Sequence, residues 1–232
     1  MNTGNKLIQY AFTLKDQRQA SYDLTISEDG TLHPDCFPST SPDWAKLEFC
    51  QCPHCPITTK TSEHCPTALA LNIIGEEWSG VSSYEAIQVE INLQTRKVSA
   101  NTSAQVALGS LVGLLMGASQ CPHLSFFRPL ARNHLPLATP EETSFRVLEN
   151  LLAFCRLYEE DPIDFNRQLE KIYDNLEILN RNITQRIKSV EKENVTTQAI
   201  IQLDCLAKLV PAAIEESKDK LLGYFSTYQT TI

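Results

Sequence analysis

The segment SAQVALGSLVGLLMGAS, residues 103–119, is apolar nearly all round and carries Gly109, Gly113 and Gly117 four positions apart. A helix without a polar face has to be covered on every side. Its apolar run from Ala104 to Ala118 falls short of the ~20 residues that span a bilayer. The segment is therefore expected to be a central buried helix with the rest of the chain built around it. Glycine costs roughly 1 kcal/mol against alanine inside a helix. Three glycines on one helical face imply that something sits tightly against them.

The flanking patterns supply the cover. Leu7 to Leu14 and Ser21 to Ile26 read as strands joined by the polar KDQRQ, with Asp29-Gly30 marking the next turn and a Pro/Ser/Thr-rich loop from Thr31 to Pro42. Pro66 to about Trp78 suits a helix, with Cys65 at its N-cap. Ile87, Val89, Ile91 and Leu93 alternate with polar residues, and Arg96 to Thr102 can return beside them as an antiparallel partner. Residues 119–139 read as irregular. Thr139-Pro140-Glu141-Glu142 is a capping-box signature and opens a helix to about Glu160.

The fold class predicted is α+β, a small antiparallel sheet packed with helices. From Asp161-Pro162 onward, Phe165, Leu169, Ile172, Leu176, Leu179, Ile183, Ile187 and Val190 form a coiled-coil-like seam. After the polar EKENVTT comes a last apolar series, Leu203, Leu206, Val210, Ile214 and Leu221, which Pro211 divides or kinks. The expected division is a cysteine-rich metal-binding α+β domain over 1–160 and an antiparallel helical hairpin over 161–232. The hairpin offers a surface to a protein partner or to a second copy.

A net charge of −8 and the lack of any Lys/Arg-rich run argue against a nucleic-acid binder and against docking on an anionic membrane. The N-terminus, MNTGNKLIQYAFTL, lacks the pattern of a secretory signal. A soluble cytoplasmic protein is expected. In that compartment eight cysteines point to metal ligands, free thiols or core residues before disulfides.

Four of those cysteines and two of the five histidines fall in EFCQCPHCPITTKTSEHCPTALAL, residues 48–71. Cys52, Cys55 and Cys65 each precede a proline, and Cys121-Pro122 is the one other Cys-Pro pair. Cys52-Pro53-His54-Cys55 has the spacing that lets two sulfurs face one metal from a tight turn. The leading ligand set is Cys52, Cys55, Cys65 and Cys121, with Cys50, His54, His64 and His123 as neighbouring substitutes. Zinc is the first expectation. A four-iron cluster is the alternative, because Cys-Pro also occurs at ferredoxin-type ligands, and a cysteine-rich loop with no metal is the third.

Pro56 stands where zinc knuckles usually carry glycine, which weakens the zinc-ribbon reading. Cys65, at a helix start, would see the positive end of the helix dipole, which suits a ligand or a redox thiol. Cys155 and Cys205 fall on or beside apolar helix faces and read as core. Capping accounts for Glu142, and His134 reads as a loop histidine hydrogen-bonded to backbone rather than as a general base. No phosphate loop, nucleophile elbow or paired-histidine protease motif appears, so an enzyme is the weaker expectation.

Three stretches carry a resemblance: FCQCPHCPITTKTSEHCPTALAL, GSLVGLLMGASQCPHLSFFRPLARNHLPLATPEETSFR and SYEAIQVEINLQTRKV. Over roughly residues 45–160 the chain resembles a family of uncharacterised bacterial proteins with Cys-Pro motifs and a His-Leu-Pro turn. The resemblance singles out Cys52, Cys55, Cys65, Cys121 and His134-Leu135-Pro136, with Gln120 standing where the family pattern has glycine. It implies no activity. The function expected is a metal-binding or regulatory module, the alternative an iron–sulfur or thiol redox protein using the same cysteines.

Overall fold

The computed structural model describes residues 4–158, 165–190, 196–201, 203, 204, 223 and 226. Strands β1 (Lys6–Thr13), β2 (Gln19–Ile26), β3 (Ala86–Leu93) and β4 (Arg96–Ser103) form one antiparallel sheet in the order β2-β1-β3-β4. With the helices below, the protein is α+β. The register pairs Tyr10 with Tyr22 on one side and Ile91 on the other, so the apolar sets share one face. Ile8, Tyr10, Phe12, Tyr22, Leu24, Val89 and Ile91 are all buried there. A slip of one residue would turn that whole set to solvent, which is why alternation alone fixes the pairing.

Helix α1 spans Pro66–Leu71 and helix α2 Ala104–Gly117. As expected, α2 is buried along most of its length, and it packs across β3 and β4. Ser103 caps it by accepting the Val106 N–H. The helix expected from Pro66 to Trp78 is shorter: α1 stops at Leu71, and Glu76–Trp78 forms a separate 3₁₀ turn after Gly75. Residues read as irregular hold a 3₁₀ turn, Pro122–Phe127, and helix α3, Arg128–Arg132. Pro122 and Pro129 sit in the first turns of these elements, where proline starts a helix.

Helix α4 covers Pro140–Leu157 and helix α5 Phe165–Val190. The capping box closes in both directions: Thr139 Oγ1 accepts the Glu142 N–H, and Glu142 Oε2 accepts the Thr139 N–H. These bonds hold the Glu142 carboxyl below its usual pKa. Thr139→Ala is expected to lower stability by about 1 kcal/mol in urea unfolding. Glu142's share is present at neutral pH and lost on acidification through the carboxylate range; a Thr139→Ala protein as stable as wild type at pH 7 would contradict the cap.

The α5 seam is buried at Leu169, Leu179, Ile183 and Ile187. Leu179, Ile183 and Ile187 join the same core as the sheet and α2, while Leu169 and Tyr173 form a second cluster with Val147, Leu151 and Cys155 of α4. The start expected at Asp161-Pro162, the break at Pro211 and most of the last apolar series lie outside the described residues. No single described helix is long and apolar enough to cross a membrane.

Candidate metal centre

The cysteine stretch is a loop tied at its base. The Leu47 N–H donates to Glu63 O, the Cys65 N–H donates to Ala45 O, and Lys46 pairs with His64. Inside it, the Cys55 N–H donates to Cys52 O, which folds Cys-Pro-His-Cys into a turn. Cys65 precedes α1, and Cys121 precedes the turn that begins at Pro122. The two starts meet where Thr67 Oγ1 lies 3.4 Å from Ser119 Oγ. Thr67 also reaches the Cys121 sulfur.

Four thiols therefore gather from three places in the chain. Burial pushes the Cys52 thiol up to about 12, and Cys65, Cys121 and Cys55, in that order, push it further in the same direction. Burial also raises Cys121, while the N–H groups of His123 and Leu124 draw it back. Those two N–H groups approach the sulfur without closing a formal capping hydrogen bond. Among the described residues no three His, Cys, Asp or Glu side chains stand at ligand range of one point. The thiols are thus within electrostatic reach of one another but wider apart than a closed cage, and side-chain rotation would have to draw them together.

Two features of this region were not read from the sequence. The tripeptide Cys-Pro-His occurs twice, at 52–54 and 121–123, and the two copies face each other. The rings of His54 and His123 stack with centroids 4.0 Å apart, and His123 Nε2 donates to the His54 carbonyl at 2.9 Å. Both His54 ring nitrogens are buried without a hydrogen bond of good geometry, although the Asn175 backbone on α5 lies nearby. Burial first, and then His123, hold the His54 pKa below its ordinary value and keep the ring neutral.

The second feature is Arg186 on α5, which is 1% exposed. Its guanidinium donates to the carbonyls of Trp44, Lys46 and Leu47 at 2.7–2.9 Å, which pins the base of the cysteine loop to α5. Among the described residues no carboxylate pairs with it. Its charge acts on Cys52, where it favours the thiolate. A buried guanidinium bonded only to carbonyls, through its two Nη atoms, leaves a positive charge that an anionic neighbour would balance.

The remaining cysteines are elsewhere. The Cys36 sulfur accepts the Thr25 N–H, and its thiol faces the Thr25 carbonyl at the edge of β2. Cys50 occupies a left-handed turn position with φ 48°. Cys155 is buried between α4 and α5, as its helix face predicts, and Cys205 lies outside the described residues. Helix α1 has six residues, so the dipole acting on Cys65 is that of a single short helix.

His134 differs from its sequence reading. It is bonded to a side chain rather than to backbone, with Nε2 2.6 Å from the Tyr10 hydroxyl. Tyr10 in turn lies 2.9 Å from Ser110 Oγ, which accepts the Leu137 N–H at 3.0 Å. Ser110, Tyr10 and a neutral His134 thus form one buried hydrogen-bonded chain. Burial, with the charges of Arg146 and Arg96, depresses the His134 pKa to about 3.

No curated protein and no solved structure matches the chain. A family profile described as a domain of unknown function, DUF6901, matches residues 8–226, which include both Cys-Pro-His tripeptides, and the chain belongs to that family.

Proposed function

We propose that this is a cytoplasmic metal-binding protein, with Cys52, Cys55, Cys65 and Cys121 as ligands and zinc as the metal, acting as a binding or regulatory module. The observation that carries the reading is the Arg186 guanidinium, which no carboxylate pairs with among the described residues, beside Cys52, whose thiol feels those of Cys65, Cys121 and Cys55. A tetrathiolate–zinc centre is dianionic, and Arg186 would offset part of that charge. Zinc would join the 48–65 loop to the end of α2 and contribute to folding directly, since structural zinc is worth about 10–16 kcal/mol in zinc-finger peptides. His54, a neutral imidazole with both ring nitrogens buried, is the substitute ligand. Helix α5 and the segment after it would present the surface for a protein partner or a second copy.

Anaerobic purification of the full chain, with elemental analysis and a visible spectrum, tests this. The expected result is colourless protein with one zinc per chain, and loss of that zinc in both Cys52→Ser and Cys121→Ser. Iron with sulfide and absorption in the blue would replace zinc by a cluster on the same cysteines. Metal-free protein whose stability is unchanged by both substitutions would refute the centre altogether.

A further inference from the structure

A cavity of about 260 Å³ lies between the glycine face of α2 and the helices packed over it. Its two ends differ in chemistry. At one end a Cβ on Gly117 would touch Phe127 and Ala131, and Met116 and Leu124 complete an apolar lining there. The other end lies about 10 Å along α2 at Ser110, which reaches His134 through the Tyr10 hydroxyl. Between them a Cβ on Gly113 would meet only Leu203, at 3.9 Å, so the wall is open along its middle.

His134 and Arg146 line the Ser110 end. His134 is 9% exposed, and its Nε2 is committed to Tyr10. Its Nδ1 bonds to no described residue and is not sealed in, so the ring keeps a free polar edge beside the cavity it lines. Arg146 spends Nη2 on the carbonyls of Leu130 and Asn133, which leaves Nη1 and Nε without a bond to any described residue. Among the described residues no carboxylate forms an ion pair with it. Glu142 is turned to the Thr139 N–H, and Glu149 acts on Arg146 only at longer range. Arg96, exposed and likewise without an ion pair, is close enough to act on both Arg146 and His134. Two cations gathered at the polar end of an apolar wall favour an anion there.

We propose that this cavity binds an aliphatic monocarboxylate, its chain along the Gly113 wall towards Phe127 and its carboxylate on Arg146, with the free edge of His134 and the charge of Arg96 beside it. One guanidinium on the wall balances one negative charge, which suits a carboxylate better than a doubly charged phosphate. The charged head and the apolar body are recognised at different ends, so neither alone accounts for binding. The site is separate from the cysteines and stands or falls independently of metal binding.

The test uses octanoate, 1-octanol and acetate, which supply both parts, the body alone and the head alone. Each is titrated at pH 7 into the full-length ¹⁵N-labelled protein. Octanoate is expected to bind roughly tenfold or more tighter than either, with shifts centred on the Gly113 amide and the His134 ring. Arg146→Gln should bring octanoate within about twofold of octanol, and Gly113→Leu should abolish binding of both. Arg96→Gln should weaken octanoate about threefold and leave octanol unchanged. If Arg146→Gln fails to fold by circular dichroism, Arg96→Gln decides, because Arg96 is exposed and makes no hydrogen bond to a described residue. Octanol or acetate binding as tightly as octanoate, no binding of octanoate, an octanoate affinity indifferent to both arginines, or shifts remote from Gly113 and His134 would each overturn the site.

Discussion

Arg186→Met is expected to destabilise the protein by about 4 kcal/mol, among the largest effects of any single substitution in this chain. A hydrogen bond to a charged donor contributes about 1.5–3 kcal/mol, and Arg186 makes three. The bonds share one donor and are not additive, so the sum overstates the loss. Methionine fills a similar volume but strands the carbonyls of Trp44, Lys46 and Leu47. Arg186→Lys should recover only part, because one ammonium does not reproduce the planar fork that reaches three acceptors. Urea unfolding of the three proteins measures this directly. A loss below about 1 kcal/mol for methionine would mean that the loop is held by other contacts. The substitution also removes the charge that favours the Cys52 thiolate, so the zinc binding proposed above should weaken alongside stability.

The second large effect is on the pH dependence of stability. In the native protein His134 titrates near pH 3, against about 6.5 in an unfolded chain. Between those values the unfolded state takes up a proton that the native state refuses. Stability is therefore at its full value above about pH 6.5 and falls as pH drops through the window, by about 1.4 kcal/mol per pH unit. His54, depressed by burial and by His123, adds a slope of the same sign. Carboxylates begin to contribute only below about pH 5, so the interval between pH 6 and 5 isolates the imidazoles. His134→Gln keeps a hydrogen-bonding partner for Tyr10 and should reduce the slope in that interval to the share left by His54. A slope unchanged by the substitution would place the titrating group elsewhere.

The sheet was legible because alternation is a local property. Ile87, Val89 and Ile91 announce a face, and Leu24 and Ile26 announce its neighbour, with no knowledge of the rest. The capping box at Thr139 and the burial of α2 were legible for the same reason. Prolines misled where their position in a helix mattered more than their presence: Pro122 and Pro129 begin helical turns rather than ending order. The grouping of Cys52, Cys55, Cys65 and Cys121 followed from their shared prolines, and those thiols do lie within electrostatic reach. Arg186 was hidden by pattern reading, because a cation between Ile183 and Ile187 resembles the flank of an apolar seam. Its placement is a matter of which distant carbonyls need a donor, and no window of sequence around residue 186 contains them.

That distance has a consequence for synthesis. Lys46 and Arg186 are 140 residues apart, and ribosomes add about 5–20 residues per second, so roughly ten seconds separate the loop from its clamp. Cys52, Cys55 and Cys65 emerge early and wait, with Cys121 following and α5 after it. Throughout that interval the loop base has only water to bond its carbonyls, and its thiols are open to whatever metal or oxidant the nascent chain meets. Docking of α5 then replaces that water with the Arg186 guanidinium, so the loop is clamped only after the sheet and α2, which precede α5 in the chain, have been made.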